Sequence, residues 1–432
     1  MIENSVNLVS DKDSEYVYEL VKKICTEIGP GCPCSGQEFK RAMVFKEELE
    51  KIADKVDIEK FKCSPRAFLG WYRLGGILAG FATMFFLLSY YGISSLLFSI
   101  IGLIISIFIF LMMLFEFLLS KEFIDFLYKK GESENIIGHI YSEDLKQVQN
   151  EKERENLIRN IIIFSGHHDS AIQFNWLRYL KYGYYIVVFI LIFSVCVLMF
   201  ALTREFILIL IGAFTQQNLK FQYYLVLILF PIGFIFAFFF TGSDKNGGTI
   251  PGATDNLTSV AISIAIGRII RAHRSLIPKK TEIRIISFGS EEAAVRGSTN
   301  YVRMHLDELK SKNTMVLNYE SICHPNLVVF KSDCNGFLKN SKELVDKVIK
   351  SAKMAEVPCK AQNFPIGGGG TDAIPFSRYK IKAVSIYGMK LPQQMVQFYH
   401  QPADNYDKLN KDAIKNSIKI GIAFLKLIQS EN

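Results

Sequence analysis

The stretch Ile283-Arg-Ile-Ile-Ser-Phe-Gly-Ser-Glu-Glu-Ala-Ala-Val-Arg-Gly-Ser298 decides the fold. Its β-branched start reads as a buried strand. It ends in two adjacent carboxylates, Glu291 and Glu292, just before a helical pattern around Tyr301 to Leu309. In an open α/β sheet the crevice past the carboxyl ends of the strands is where ligands sit. Consecutive side chains there diverge, so one carboxylate can bind a metal while its neighbour handles a proton. Taken alone, the pair reads as two solvated glutamates opening a helix, where negative charge suits the dipole. The rest of the chain reverses that balance.

Working outward, similar apolar runs alternate with helical periodicity. Val56 to Lys62, Asn135 to Ile140, Asn160 to Ser170, Thr314 to Tyr319, Leu327 to Phe330 and Ala383 to Tyr387 read as strands. Asp13 to Ile28, Gln37 to Ala53, Ala261 to Ala272, Ser298 to Lys310, Asn340 to Ala355 and Lys411 to Ile428 read as helices, with Glu143 to Arg159 a charged connection. The alternation predicts an α/β fold, a mixed and mainly parallel sheet sandwiched by helices.

Two blocks break this pattern. Leu74 to Tyr91 and Leu96 to Leu119 are nearly continuous apolar runs, and so are Tyr184 to Leu202 and Tyr223 to Phe240. A membrane span needs about 20 apolar residues, so the blocks read as two inserted transmembrane helical hairpins. Phe206 to Phe214, between the later two runs, reads as interfacial or re-entrant and not as a fifth span, and Glu116 as a side chain able to reach the interface. The expected domains are a discontinuous one (1–65, 121–178 and 242–432) and the hairpins 66–120 and 179–241. Each insertion has an even number of spans, so the chain returns to the side it left. Lys60, Lys62, Arg66, Arg73, Lys121, Lys129, Lys130, Arg178, Lys181 and Lys245 flank the spans on the domain side, against only Arg204 and Lys220 in the links. The positive-inside rule then puts the soluble domain in the cytosol.

Across 432 residues, 50 Lys and Arg face 42 Asp and Glu, and the surplus is too dispersed to propose nucleic acid. Eight cysteines lack framework spacing and suggest reduced thiols. Cys32-Pro-Cys34 reads as a loop with two free thiols, and the polar segment Met1 to Lys23 as carrying no signal peptide.

Five places put metal-type ligands at strand ends or in glycine-rich loops. They are His167 and Asp169 in Gly166-His-His-Asp, Asp255 in Gly252-Ala-Thr-Asp-Asn256, Glu291-Glu292, Glu320 in Leu317-Asn-Tyr-Glu, and His400 in Phe398-Tyr-His-Gln-Pro-Ala-Asp404. Each has a bland alternative: a hydrogen-bonded core histidine, a helix N-cap at Asp255, a buried carboxylate paired with arginine. All five sharing one crevice by chance is improbable. Histidine nitrogens with carboxylate oxygens suit Zn²⁺, with other divalent ions possible.

In this order the motifs, with Thr371-Asp372-x-x-x-Phe376, resemble the co-catalytic zinc aminopeptidases, metallopeptidase family 28, over residues 14–65, 133–175 and 248–428. The resemblance implies two Zn²⁺ per chain bridged by Asp255, with His167 and Glu320 completing one site and Glu292 and His400 the other. It implies Glu291 as general base on water and Asp169 as the residue orienting His167. Leu257 departs from a small residue usual after the bridging aspartate. The implied partners are a peptide with a free N-terminus and the lipid bilayer. Rivals are a carboxypeptidase, a glutaminyl-cyclase-like enzyme of the same fold, and a non-catalytic peptidase-like receptor or scaffold. The cyclases use one zinc and lack the first histidine, which is present here, and Arg296 and Arg378, the arginines a carboxypeptidase would need, read as surface residues.

Overall fold

The computed structural model describes residues 8–243 and 248–431, so Lys245 lies outside the described residues. The chain divides into two compact units, one of Met1–Pro65, Lys130–Ile172 and Thr249–Asn432, the other of Arg66–Lys129 and Gln173–Gly248.

The first unit is built on a mixed eight-stranded sheet. Its strands are β1 (Lys55–Cys63), β2 (Gly131–Tyr141), β3 (Asn160–His167), β4 (Thr281–Phe288), β5 (Asn313–Glu320), β6 (Leu327–Phe330), β9 (Cys359–Gln362) and β10 (Lys382–Tyr387). Two short strands, β7 (Ser332–Asp333) and β8 (Leu338–Lys339), pair separately. The sheet runs β1-β2-β4-β3-β5-β10-β6-β9. At its centre β4, β3, β5 and β10 are parallel, while β2 and β6 flank them antiparallel. Alternate residues of the central strands face opposite layers. Ile162, Phe164, Ile283, Ile285 and Leu317 join one apolar cluster with the helices Asp11–Glu27, Gly36–Glu50, Thr258–Ala272, Lys342–Met354 and Lys411–Glu431. Ile161, Ile163, Ile286 and Val316 join another, against Tyr301, Val302 and Leu309 of the helix Arg296–Ser311. Burial on both faces explains why these strands read as unbroken apolar runs. Each such side chain contributes about 1.5–3 kcal/mol on leaving water, so the ends of the parallel strands form a rigid platform.

Several short elements escaped the sequence reading: β9, the helices Ala373–Arg378 and Gln393–Phe398, and two helices, Glu143–Lys146 and Glu151–Leu157, within the charged connection. They are too short for periodicity to register.

The second unit contains four helices long and apolar enough to cross a membrane, among the described residues: Ala67–Tyr90, Ser95–Leu118, Asn175–Leu210 and Gln216–Phe238. The first residues of the piece Phe206 to Phe214 continue the regular helix Tyr184–Leu210, so a separate re-entrant element is not formed there. Arg204 and Glu205 interrupt the hydropathy but not the backbone, and Glu205 is fully buried within this unit. Glu116 is also buried, and its carboxylate accepts from the Phe123 and Ile124 N–H groups, both at 2.8 Å. It therefore caps the turn after its helix instead of reaching outward. The same kind of bonding draws 121–129 and 173–178 into this unit: Trp176 Nε1 donates to the Phe236 carbonyl at 2.8 Å and Asn175 N to the Phe240 carbonyl at 2.9 Å.

Candidate metal centre

The carboxyl ends of three adjacent parallel strands supply the first side chains. His167 ends β3, Glu320 ends β5, and β4 runs out at Phe288 into the turn carrying Glu291 and Glu292. Strand alternation separates the two adjacent histidines. His167 faces the crevice, whereas His168 is buried behind it with Nδ1 2.8 Å from Ser287 Oγ. Burial pushes the His168 pKa down to about 3, so it stays neutral in the core. A side chain at Gly166 would collide with Ser259 Cβ at 2.7 Å and the Val260 backbone N at 2.9 Å, so glycine lets the helix Thr258–Ala272 pack close to β3.

Asp255 and His400 arrive on loops. Asp255 lies in the wide turn Ala253–Leu257 with φ −124° and ψ 86°, and Leu257, not Asp255, occupies the cap of the next helix. Asp404 holds this turn. Its Oδ1 accepts from Thr254 N at 2.9 Å and Thr254 Oγ1 at 2.6 Å, and its Oδ2 accepts from Asp255 N at 3.2 Å. Since Asp404 and His400 share one loop, the contact fixes His400 relative to Asp255. Asn256 does the same for Glu320, donating to Glu320 Oε2 at 3.2 Å and to the Tyr319 carbonyl at 3.0 Å while accepting from Ser321 N at 3.1 Å. Neither positioning residue was assigned from sequence. Both stand in the quoted motifs, which was the available signal.

All seven expected residues converge here. Asp255 Oδ1 lies 3.4 Å from His167 Nε2 and Oδ2 lies 3.2 Å from His400 Nε2. Glu292 Oε1 is 3.4 Å from His400 Nε2, Glu320 Oε1 3.8 Å and Glu291 Oε2 3.6 Å from His167 Nε2. Asp169 is fully buried, with Oδ1 accepting from Glu291 N at 3.0 Å, Oδ2 accepting from Glu292 N at 2.9 Å, and His167 Nδ1 3.2 Å from Oδ1. One carboxylate thus sets both the histidine and the two-glutamate turn.

The donor set fits a cation. Zinc bonds of about 2.0–2.2 Å in tetrahedral array leave neighbouring ligand atoms about 3.4 Å apart, which is the spacing found around Asp255 and His400. Asp255 Oδ2 and Glu292 Oε1 are buried without a hydrogen bond, as metal-facing oxygens would be. Donor atoms of His167, Asp255 and Glu292 all lie within 4.8 Å of one another. Without a cation the groups strain against one another electrostatically. Burial opposes protonation of both histidines, yet Glu291 with Asp169, Asp255 and Glu320 lifts His167 well above its ordinary range. Glu292 and Asp255 lift His400 to about 10. Burial pushes Glu320 up to about 8 against the pull of His167, and raises Glu291, with Asp372, Glu292 and Glu320 adding repulsion.

Beside Glu320 an apolar pocket is lined by Phe330, Phe364, Tyr387, Leu391, Met395 and Tyr399. Arg296 is buried, not exposed as expected, and donates from Nη1 to the Ala294 carbonyl at 3.1 Å. The turn it supports places three non-glycine residues, Ser290, Ala294 and Val295, at positive φ.

A model described as peptidase family M28 matches residues 241–425. The aminopeptidase YwaD of Bacillus subtilis (strain 168) is 24% identical over 177 residues, 39% of this chain and 35% of that protein, so the match spans about a third of the relative's length. The fold is similar to that of BSAP, a zinc aminopeptidase from Bacillus subtilis, with TM-score 0.53, 13% identity and coverage of 96% of this chain and 95% of that one. A leucine aminopeptidase precursor from Bacteroides thetaiotaomicron gives TM-score 0.53, 15% identity and coverage of 97% and 98%. An Acidobacteriales bacterium glutaminyl cyclase gives TM-score 0.53, 11% identity and coverage of 97% and 96%. At such identities the structural likenesses speak for the fold.

Proposed function

We propose that this chain, which resembles the M28 peptidases in sequence and zinc aminopeptidases in fold, is a membrane-anchored metallo-aminopeptidase. The observation that carries the reading is Asp255 presenting one oxygen to His167 and the other to His400. That is the arrangement of a carboxylate shared between two ions. His167, Asp255 and Glu320 would hold one, and Asp255, Glu292 and His400 the other. Zinc bound there would act as a Lewis acid on the scissile carbonyl and make water acidic enough to lose a proton near neutrality.

The protein's own groups do the rest. Glu291 takes the proton from water and passes it to the leaving amine. Asp169 keeps Glu291 and Glu292 diverging by fixing both of their N–H groups. A free α-ammonium of the substrate is attracted by the same concentration of carboxylates, and an internal peptide bond forfeits that attraction. The first side chain enters the pocket beside Glu320, whose aromatic and aliphatic walls favour a bulky apolar residue over alanine. The four apolar helices supply the anchor.

The test is elemental analysis of protein purified without chelator, which should find about two zinc equivalents per chain, as a dinuclear centre requires. A maximum near one equivalent, unchanged by Asp255→Asn, contradicts the shared carboxylate.

A further inference from the structure

In the sequence the nearest thiol to Cys34 is Cys32, but the fold brings Cys34 against Cys63. The two Sγ atoms stand 3.4 Å apart in the free-thiol state. Cys63 ends β1, and the residue opposite it on β2 is Gly131. A Cβ at Gly131 would lie 2.5 Å from Cys34 Cβ and 2.9 Å from its Sγ, so the glycine opens the space that Cys34 fills. Cys34 itself adopts φ +60°, a conformation costly for a residue with a side chain, and its N–H donates to Glu38. Fold and backbone together therefore hold this thiol against Cys63.

The pair also stands behind the carboxylate centre. Cys34 Sγ is 3.7 Å from Ser290 Oγ, and the Glu38 carboxylate that accepts from Cys34 accepts from Ser290 N at 2.7 Å and Ser290 Oγ at 2.9 Å. The same loop reaches the end of β3, where Gly31 N donates to Ser170 Oγ at 3.0 Å and Ser170 N to the Gly31 carbonyl at 2.8 Å. The loop thus braces the segments that carry Asp169 and Glu291.

We propose that Cys34 and Cys63 form a thiol–disulfide site that a low-molecular-weight disulfide, such as oxidised glutathione, converts to a cross-link between this loop and β1. Cys34 is partly accessible and Cys63 buried, so Cys34 reacts first. Its sulfur attacks one sulfur of the reagent and gives up its proton in the same step, forming a mixed disulfide and expelling one small thiolate that takes the proton. The Cys63 thiolate then attacks the Cys34 sulfur and expels the second. The cysteine pair loses two electrons, the reagent is reduced to two thiols, and the two cysteine protons end on them. Bond formation brings the sulfurs from 3.4 Å to about 2.05 Å. The cross-link closes a long loop in the unfolded chain and therefore stabilises the fold.

The full chain, purified under reductant in detergent, would be incubated with oxidised glutathione, alkylated, digested and mapped by mass spectrometry. The expected product is one peptide pair joining Cys34 to Cys63, reversed by dithiothreitol and absent in Cys34→Ser and Cys63→Ala. Its formation should raise the thermal midpoint of the wild type and leave both variants unshifted. Glutathione retained on Cys34, a Cys32–Cys34 bridge, no thiol consumed, or a cross-link that lowers the midpoint would each overturn the proposal. Because mass and unfolding are the readouts, the result is independent of whether the carboxylate centre cleaves peptides.

Discussion

Glu291 and Glu292 are chemically identical neighbours, so only their surroundings can give them different work. Glu292 Oε1 stands 3.4 Å from His400 Nε2, while Glu291 Oε2 stands 3.6 Å from His167 Nε2 on the other side of Asp255. Glu291→Gln should keep both the fold and the metal but lower turnover at least about 10²-fold, the scale of a lost general base. Glu292→Gln should lose metal as well. Turnover of Glu291→Gln near that of the wild type would remove it from the base role. The pKa directions add a second expectation. Ion-free His167 and His400 hold protons above the usual histidine range, and a metal must displace them. Calorimetry in two buffers of different ionisation enthalpy should therefore show proton release on zinc binding near pH 7, and affinity should fall as pH falls. Binding without proton release would mean that the histidines do not ligate. The convergence of the seven residues was legible in the sequence because each sits in a short motif, five at or just past the ends of apolar strands and Asp255 and His400 in loops. Asp404 and Asn256 were not assigned, because what they hold is fixed by loop contacts that no local pattern encodes. Cys63 was missed for a similar reason: it meets Cys34 only because β1 pairs with β2 at the edge of the sheet.

One element pair shows how the edge of the sheet is tied to its cover. His305, on the helix Arg296–Ser311, places Nε2 2.6 Å from Glu59 Oε1 on β1 and Nδ1 3.4 Å from Glu308 Oε2. Burial works against its charge, and so does Arg284, but Glu308 and Glu59 outweigh them and raise its pKa to about 9. A folded-state pKa raised above the unfolded value of about 6.5 gives stability that is full below the unfolded value and is lost as pH rises towards 9. The thermal midpoint should therefore fall between pH 6.5 and 9, and His305→Gln should flatten that fall. Parallel pH profiles for the two proteins would show that the ion pair contributes nothing. At this scale the long strands and helices were readable from periodicity, whereas the short apolar piece Phe206 to Phe214 was read apart from the span that its first residues continue. Arg204 and Glu205 are ordinary helix formers, so the backbone ran on through them.

The whole molecule combines a sheet-based unit with a unit of apolar helices. If the four apolar helices cross a membrane, the lysines and arginines that flank them predict a cytosolic position for the sheet-based unit. A cysteine at Ser94 should label from outside intact cells with a membrane-impermeant reagent, whereas one at Ser430 on the closing helix should label only after lysis. The reverse pattern would invert the topology. The central claim, hydrolysis from a free N-terminus, rests on a charge-assisted contact worth about 1.5–3 kcal/mol, or one to two powers of ten in kcat/KM. The direct measurement gives the zinc-loaded full chain two peptides of one sequence with a bulky apolar first residue, one free and one acetylated at its N-terminus, and follows both by mass spectrometry. The account predicts stepwise loss of residues from the N-terminus of the free peptide and no change in the acetylated one. Release from the C-terminus, or equal internal cutting of both, would contradict it.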